Sequence, residues 1–462
     1  MMKLYFKRPV ATLVSLAFLS GMLAGCGRPA TPDTPSPSQN YPANPIQNVP
    51  EAKQEQPIPL ASYALNRVEY PRTSASPQEA AYHRPQEFYD ATLRSLLDGA
   101  GEKNRVYSPV NVYIALAMLA EITDGDSRSQ ILALLGEEDI EALRETASHL
   151  WLANYSEDDS VTSIPASSLW LNQYLTFRQD AVDTLATHYY STVYQGQMGS
   201  AEFDQALQDW LNEQTNGLLK EEVSGVEFSA ETILALATTL YFKAGWSQEF
   251  HEANTVEEAF HSPGSDNMCD FMKMSAPQDY YWGENFSAVS LSFRNSGQMW
   301  LILPDGDIGV DELLQSNSGW SELFLANGAD SAINYQQKLQ QKFQQKYLTV
   351  NLSIPKFDVS SDMRLEKNLE TLGITDVFDS DLSDFSPIID NSMSACISQI
   401  QHAARVKIDE TGCEAAAFTL SMADGCAMPP EDEVDFTLNR PFLFAITGAS
   451  GDPLFVGVVN RP

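Results

Sequence analysis

Between about Gln86 and Pro462 the chain alternates segments of helical and strand periodicity. Phe88, Ala91, Leu93, Leu96 and Leu97 fall on one face of a helix, and a second helix is expected from Val110 to Ile122, after the turn at Ser108-Pro109. Ser168–Asn172 reads as a strand followed by a helix to about Tyr189, and Asp209–Gly217 as a helix closed by a capping glycine. Ile233 to Phe242 is an almost unbroken apolar run, the pattern of a strand buried on both faces. The last stretch of order before a long interruption is Val406-Lys407-Ile408-Asp409, which alternates apolar and polar.

That interruption is the most informative part of the sequence. Some two dozen residues separate Ile408 from the next strand at Val434-Asp435-Phe436, well beyond an ordinary connection. The segment opens with Glu410, Thr411, Gly412, Cys413, Glu414, Ala415, Ala416 and Ala417, and later carries Pro429-Pro430 and the acidic Glu431-Asp432-Glu433. As a strand, Cys413–Thr419 would put Cys413, Ala415, Ala417 and Thr419 on one face, small enough to slide into a packed sheet. Glu414, Ala416, Phe418 and Leu420 would share the other, which its charge assigns to solvent. The loop has the pattern of a strand held out of its sheet.

Composition places the rest. Net charge is −34, from 62 acidic against 28 basic residues, which argues against nucleic acid and heparin-like polyanions as partners. Lys3, Lys7 and Arg8 precede an apolar run from Val10 to Leu23, too short for a membrane span and typical of a processing signal. It ends in Leu23-Ala24-Gly25-Cys26, which resembles a bacterial lipobox; the resemblance implies removal of residues 1–25 and a lipid on Cys26. Gly27 is not the aspartate associated with retention at the inner membrane, so an outer-membrane or outer-surface location of the envelope is expected. Residues 26–80 are rich in proline with little apolar content in their first part, and read as a disordered tether. The five cysteines suggest no disulfide framework, and no cysteine or histidine spacing suggests a metal or cofactor.

The loop resembles the reactive-centre loop of the serpins, whose hinge reads Glu-x-Gly-Thr-Glu-Ala-Ala-Ala and whose proline pair follows the attacked bond. Asn104–Asn111, Trp210–Gly217, Tyr241–Trp246, Phe271-Met272, Leu301–Pro304, Leu352–Phe357, Leu365–Phe378 (a helix in the family), Phe436–Ile446 and Leu454–Asn460 match further family motifs in order, so the resemblance covers about 375 residues, within 81–462. It implies an α+β fold with three β-sheets, eight or nine helices and an exposed loop at about 410–435. It also implies a monomer with no catalytic residues, which offers the loop as bait. An acyl-enzyme forms and the cleaved loop inserts into the central sheet before water can release the protease. Family spacing from Gly412 places the scissile bond at Cys426-Ala427. No Lys or Arg lies between Lys407 and Arg440, so elastase-, subtilisin- or papain-like proteases are expected rather than trypsin-like ones.

In the sheet-opening region, Ser108 and His402 match the family, Asn111 and Thr238 replace a serine and an asparagine, and Trp246 stands where the loop enters. The competing reading is a serpin fold that acts as a protease substrate or binding module without inhibiting. An enzyme is disfavoured, because the six histidines form no nucleophile or metal motif. Cys413 and Cys426 both fall in the exposed loop, where their oxidation to a disulfide would close it into a ring unable to insert; two independent thiols is the simpler reading.

Overall fold

The computed structural model describes residues 59–68, 84–157, 161–221, 223–294, 297–316, 318–325, 342–389, 394–413 and 430–462, all within the unit Pro57–Pro462. Cys26, Glu414–Ala417, Phe418 and the Cys426-Ala427 bond lie outside these residues.

Two sheets face one large apolar core. The central sheet orders Phe357–Arg364, Ile397–Ile408, Leu234–Gly245 and Val161–Asn172, with Ser156–Glu157 and Thr192–Gly196 both pairing the last strand. Ile397–Ile408 and Leu234–Gly245 run parallel and pair directly only from Ile397 to Ala403, against Leu234 to Thr239. Beyond that point the two-residue strand Gly412–Cys413 stands between them, antiparallel to both.

The second sheet has nine strands among the described residues. The eighteen-residue strand Ser265–Trp282 runs through it: it pairs Val256–Ser262 at one end, Phe286–Ser292 at the other and Gln344–Pro355 along most of its length.

Three elements matter for the site. The helix Pro109–Glu121 is buried at every position, as its apolar composition on all sides requires. Ser108 caps it, and Pro109 at its first turn fixes the entry. The helix Ala201–Gln214 lies over the opposite face of the central sheet. There Phe203, Trp210, Trp170 and Phe228 pack above a floor of Ala166, Ala235, Ala237 and Ala403. Third, the expected helix from Leu365 to Phe378 stops at Thr371, because Gly373 turns to φ +98°; a short 3-10 turn, Asp376–Phe378, follows.

The reading of 26–80 as disordered needs a correction at residues 59–68. Leu60–Ser62 forms a 3-10 turn, and Ala64 bridges Tyr194 antiparallel on the edge of the central sheet. Leu60, Tyr63 and Leu65 supply apolar side chains that the proline-rich part lacks, and all three pack against the cores.

Candidate functional site

The site is the upper end of the gap between Ile397–Ile408 and Leu234–Gly245, where the chain turns back on itself. Asp409 makes the turn: its Oδ1 accepts from the Thr411 amide (2.8 Å), the Thr411 hydroxyl (2.6 Å) and the Gly412 amide (3.2 Å). The Asp409 amide in turn donates to the Gly412 carbonyl at 3.0 Å. Gly412 then passes so close to the neighbouring strand that a Cβ would lie 2.2 Å from the Ala244 carbonyl oxygen. Only glycine fits that approach. Cys413 pairs with Ile408 and Ala244 and is 2% exposed, its side chain part of the main core. A disulfide that needs Cys413 in solvent does not fit this placement.

Trp246 supports the turn from below. Its ring stacks on Phe293 (centroids 4.8 Å, 11°), its indole N–H donates to the Asp409 carbonyl at 2.9 Å, and its amide donates to Thr411 O at 2.9 Å. Glu410 anchors the turn sideways. Its carboxylate accepts from Lys356 Nζ at 2.8 Å and from the Thr255 hydroxyl at 2.7 Å. Burial pushes the Glu410 carboxyl up, but the bonds from Lys356 and Thr255 outweigh it and hold it below the usual range. The same bond to Glu410 raises Lys356.

Lower in the gap the structure brings Ser108, Asn111, Thr238 and His402 together, each fully buried. The Ser108 amide donates to His402 Nε2 at 3.0 Å, and the Asn111 amide to the Ser108 hydroxyl at 3.2 Å. The Thr238 hydroxyl reaches the carbonyls of Asn111 and Ala166, both at 3.4 Å. Side chains on the buried helix and on both strands therefore meet where the strands still pair. Trp246 is not part of this group; it stands at the turn.

Asp409, Lys356, Thr255 and Phe293 complete the site and were not singled out in the sequence. Asp409 was visible as an Asx residue ahead of a glycine. The other three come from distant segments, and nothing local signals their partner. Among the described residues no cluster of His, Cys, Asp and Glu is arranged to hold a metal.

His402 carries a pH dependence. Burial drives it down to about 3 from 6.5, so it is neutral and accepts from Ser108. The folded value is the lower one, so below pH 6.5 the unfolded chain takes up a proton that the folded chain refuses. Stability is full above 6.5 and falls progressively towards 3. Denaturant midpoints compared at pH 7 and pH 5.5 should drop more in the native chain than in His402→Gln, and equal drops would exclude His402 as the titrating group.

A family model described as serpin (serine protease inhibitor) matches residues 84–462. Serpin-Z2A of Triticum aestivum is 29% identical over 374 residues, covering 78% of this chain and 90% of the relative. Alpha-1-antitrypsin 1-5 of Mus musculus is 28% identical over 420 residues, covering 87% and 95%. Among solved structures, a thermophilic serpin, Tengpin, in its native state superposes with TM-score 0.71 at 23% identity, over 87% of this chain and 98% of the other. Arabidopsis AtSerpin1 gives 0.68 at 24%, over 82% and 98%, and both share the fold.

Proposed function

The chain belongs to the serpin family, and on that premise we propose that it is a suicide-substrate inhibitor that traps proteases by inserting its cleaved loop between Ile397–Ile408 and Leu234–Gly245. Family membership supports protease inhibition in general. The observation that carries the specific reading is Cys413, already seated between Ile408 and Ala244 in the orientation an incoming strand needs.

Counting on from those pairs gives the register of a full insertion. Ala415 would meet Val406 and Phe242, and Ala417 would meet Ala404 and Leu240, all facing the core. Glu414 would fall between Lys407 and Lys243, opposite in charge to both. Small inward residues and a compensated charge suit a strand meant to enter.

Phe418 is different. It would lie opposite Ala403 and Thr239, on the face the sequence assigns to solvent. Here Ala403 is fully buried beneath the helix Ala201–Gln214, so a phenyl ring arriving there must displace that roof. Phe418 therefore slows insertion before its midpoint, with 419–426 still to follow, and lets some cleaved loops escape as plain substrate.

The bait around Cys426-Ala427 offers a small, uncharged residue, which fits the shallow pockets of elastase- and subtilisin-like serine proteases and of papain-like cysteine proteases. A lipid on Cys26 would hold the inhibitor at the outer membrane or outer surface of a bacterial envelope. The test is to incubate the chain with elastase-, subtilisin-, papain- and trypsin-like proteases and run denaturing gels. A covalent complex with one of the first three, and release of a fragment beginning at Ala427 within one residue, are expected. On the same gels Phe418→Ala should shift the ratio of complex to cleaved product towards complex. Cleavage with no complex across the panel would overturn the trapping reading and leave a non-inhibitory member of the family.

A further inference from the structure

The segment ahead of the family domain is built into the sheet. The Leu65 amide donates to the Val193 carbonyl at 2.8 Å, and the Gln195 amide to the Tyr63 carbonyl at 2.9 Å, which forms an antiparallel bridge on the edge Thr192–Gly196. Asn66 makes the tightest junction. Its Oδ1 accepts from the Val193 amide (2.9 Å), and its Nδ2 donates to the carbonyls of Val182 (3.1 Å) and Ser191 (3.2 Å). One side chain thereby ties the edge strand to the helix Gln179–His188. Tyr63 reaches the other way, its ring 5.2 Å from that of Phe203, and Leu60 packs into the same cluster beneath Ala201–Gln214.

That helix is the obstacle to insertion. Its cluster takes in Ala403 on one strand of the gap and Ala235 and Ala237 on the other, so it bridges the two strands that must part. Opening the gap requires the helix to lose its contacts with one of them. The helix is held to the Val161–Asn172 side by Trp170 and, through Tyr63 and Asn66, by the edge strand and the helix beyond it.

Building on the insertion reading, we propose that Leu60–Arg67 is an internal clamp: by fixing Ala201–Gln214 and the edge Thr192–Gly196 in the closed sheet, it sets how fast the gap can open. The loop-out state then owes its lifetime to a segment outside the family domain. The same contacts cover a sheet edge that would otherwise be open to another strand.

The experiment uses the full chain and its Tyr63→Ala/Asn66→Ala variant, incubated at elevated temperature without protease. Spontaneous insertion is read as the loop becoming resistant to added protease. Amide hydrogen exchange in 192–196 and 201–214 is read in parallel. The half-life of the protease-sensitive form should fall about tenfold or more, as expected when two or three hydrogen bonds of the closed state are lost, with faster exchange confined to those two segments. Gln130→Ala, which removes an acceptor for the amides of Thr375 and Asp376, is the control for general destabilisation. An unchanged half-life, or an equal fall in the control, would overturn the clamp. A cut protein that gains no thermal stability would instead mark failure of the insertion reading itself.

Discussion

In Cys413→Arg the covalent complex with a target protease should vanish while cleavage of the loop continues. Cys413 is 2% exposed, and its neighbours Ile408 and Ala244 belong to the apolar core. A guanidinium forced into that apolar position would cost several kcal/mol. The first inserted residue would stay outside, the cut loop could not follow it, and water would release the protease. Cys413→Ser, small and able to hydrogen-bond, should keep most of the trapping. The check is the ratio of covalent complex to cleaved inhibitor on denaturing gels, together with the thermal midpoint of the cleaved chain. Wild-type trapping by the arginine variant would show that insertion does not begin where Cys413 now sits.

Trp246→Ala should have the largest effect on stability. The side chain is 1% exposed, stacks on Phe293 and donates to Asp409. Removing it from a packed core costs about 3–5 kcal/mol. Because the indole also holds the turn Asp409–Gly412, the loss should loosen the two-residue strand above it. Two measurements separate these effects: the denaturant midpoint reads stability, and thiol labelling resolved by mass spectrometry reads the exposure of Cys413. Both the fall in midpoint and faster labelling of Cys413 are expected. A large fall in midpoint with unchanged labelling would mean that Asp409 and Glu410 alone hold the turn.

Much of the fold was legible because it is written in local periodicity. The apolar run Ile233–Phe242 became Leu234–Gly245, a strand with partners on both sides, and the largely apolar stretch after Ser108 became a helix buried at every residue. Patterns of this kind need only neighbours in sequence. What they leave out is which element covers a given face. Alternation places Phe418 opposite the core, but only the three-dimensional arrangement shows that Ala201–Gln214 roofs that face over Ala403. The partners of the turn are hidden for the same reason, since Lys356 and Thr255 meet Glu410 across long sequence separations. The docked end of the tether was hidden by averaging: its few apolar residues are diluted by the prolines before them, and Asn66 looks like any loop residue.

The parallel alignment of Ile397–Ala403 with Leu234–Thr239 has a thermodynamic meaning of its own. A chain that reverses at Asp409 can enter between these strands only antiparallel to both, as Gly412 and Cys413 already do. Completing the entry would exchange one parallel ladder for two antiparallel ones, the more stable type per residue. The surplus is held in hydrogen bonds not yet made, with no need for strain in any residue. On the insertion reading such a molecule sits in a local minimum kept by a barrier, and its lifetime, set by the rate of crossing, shortens steeply on heating.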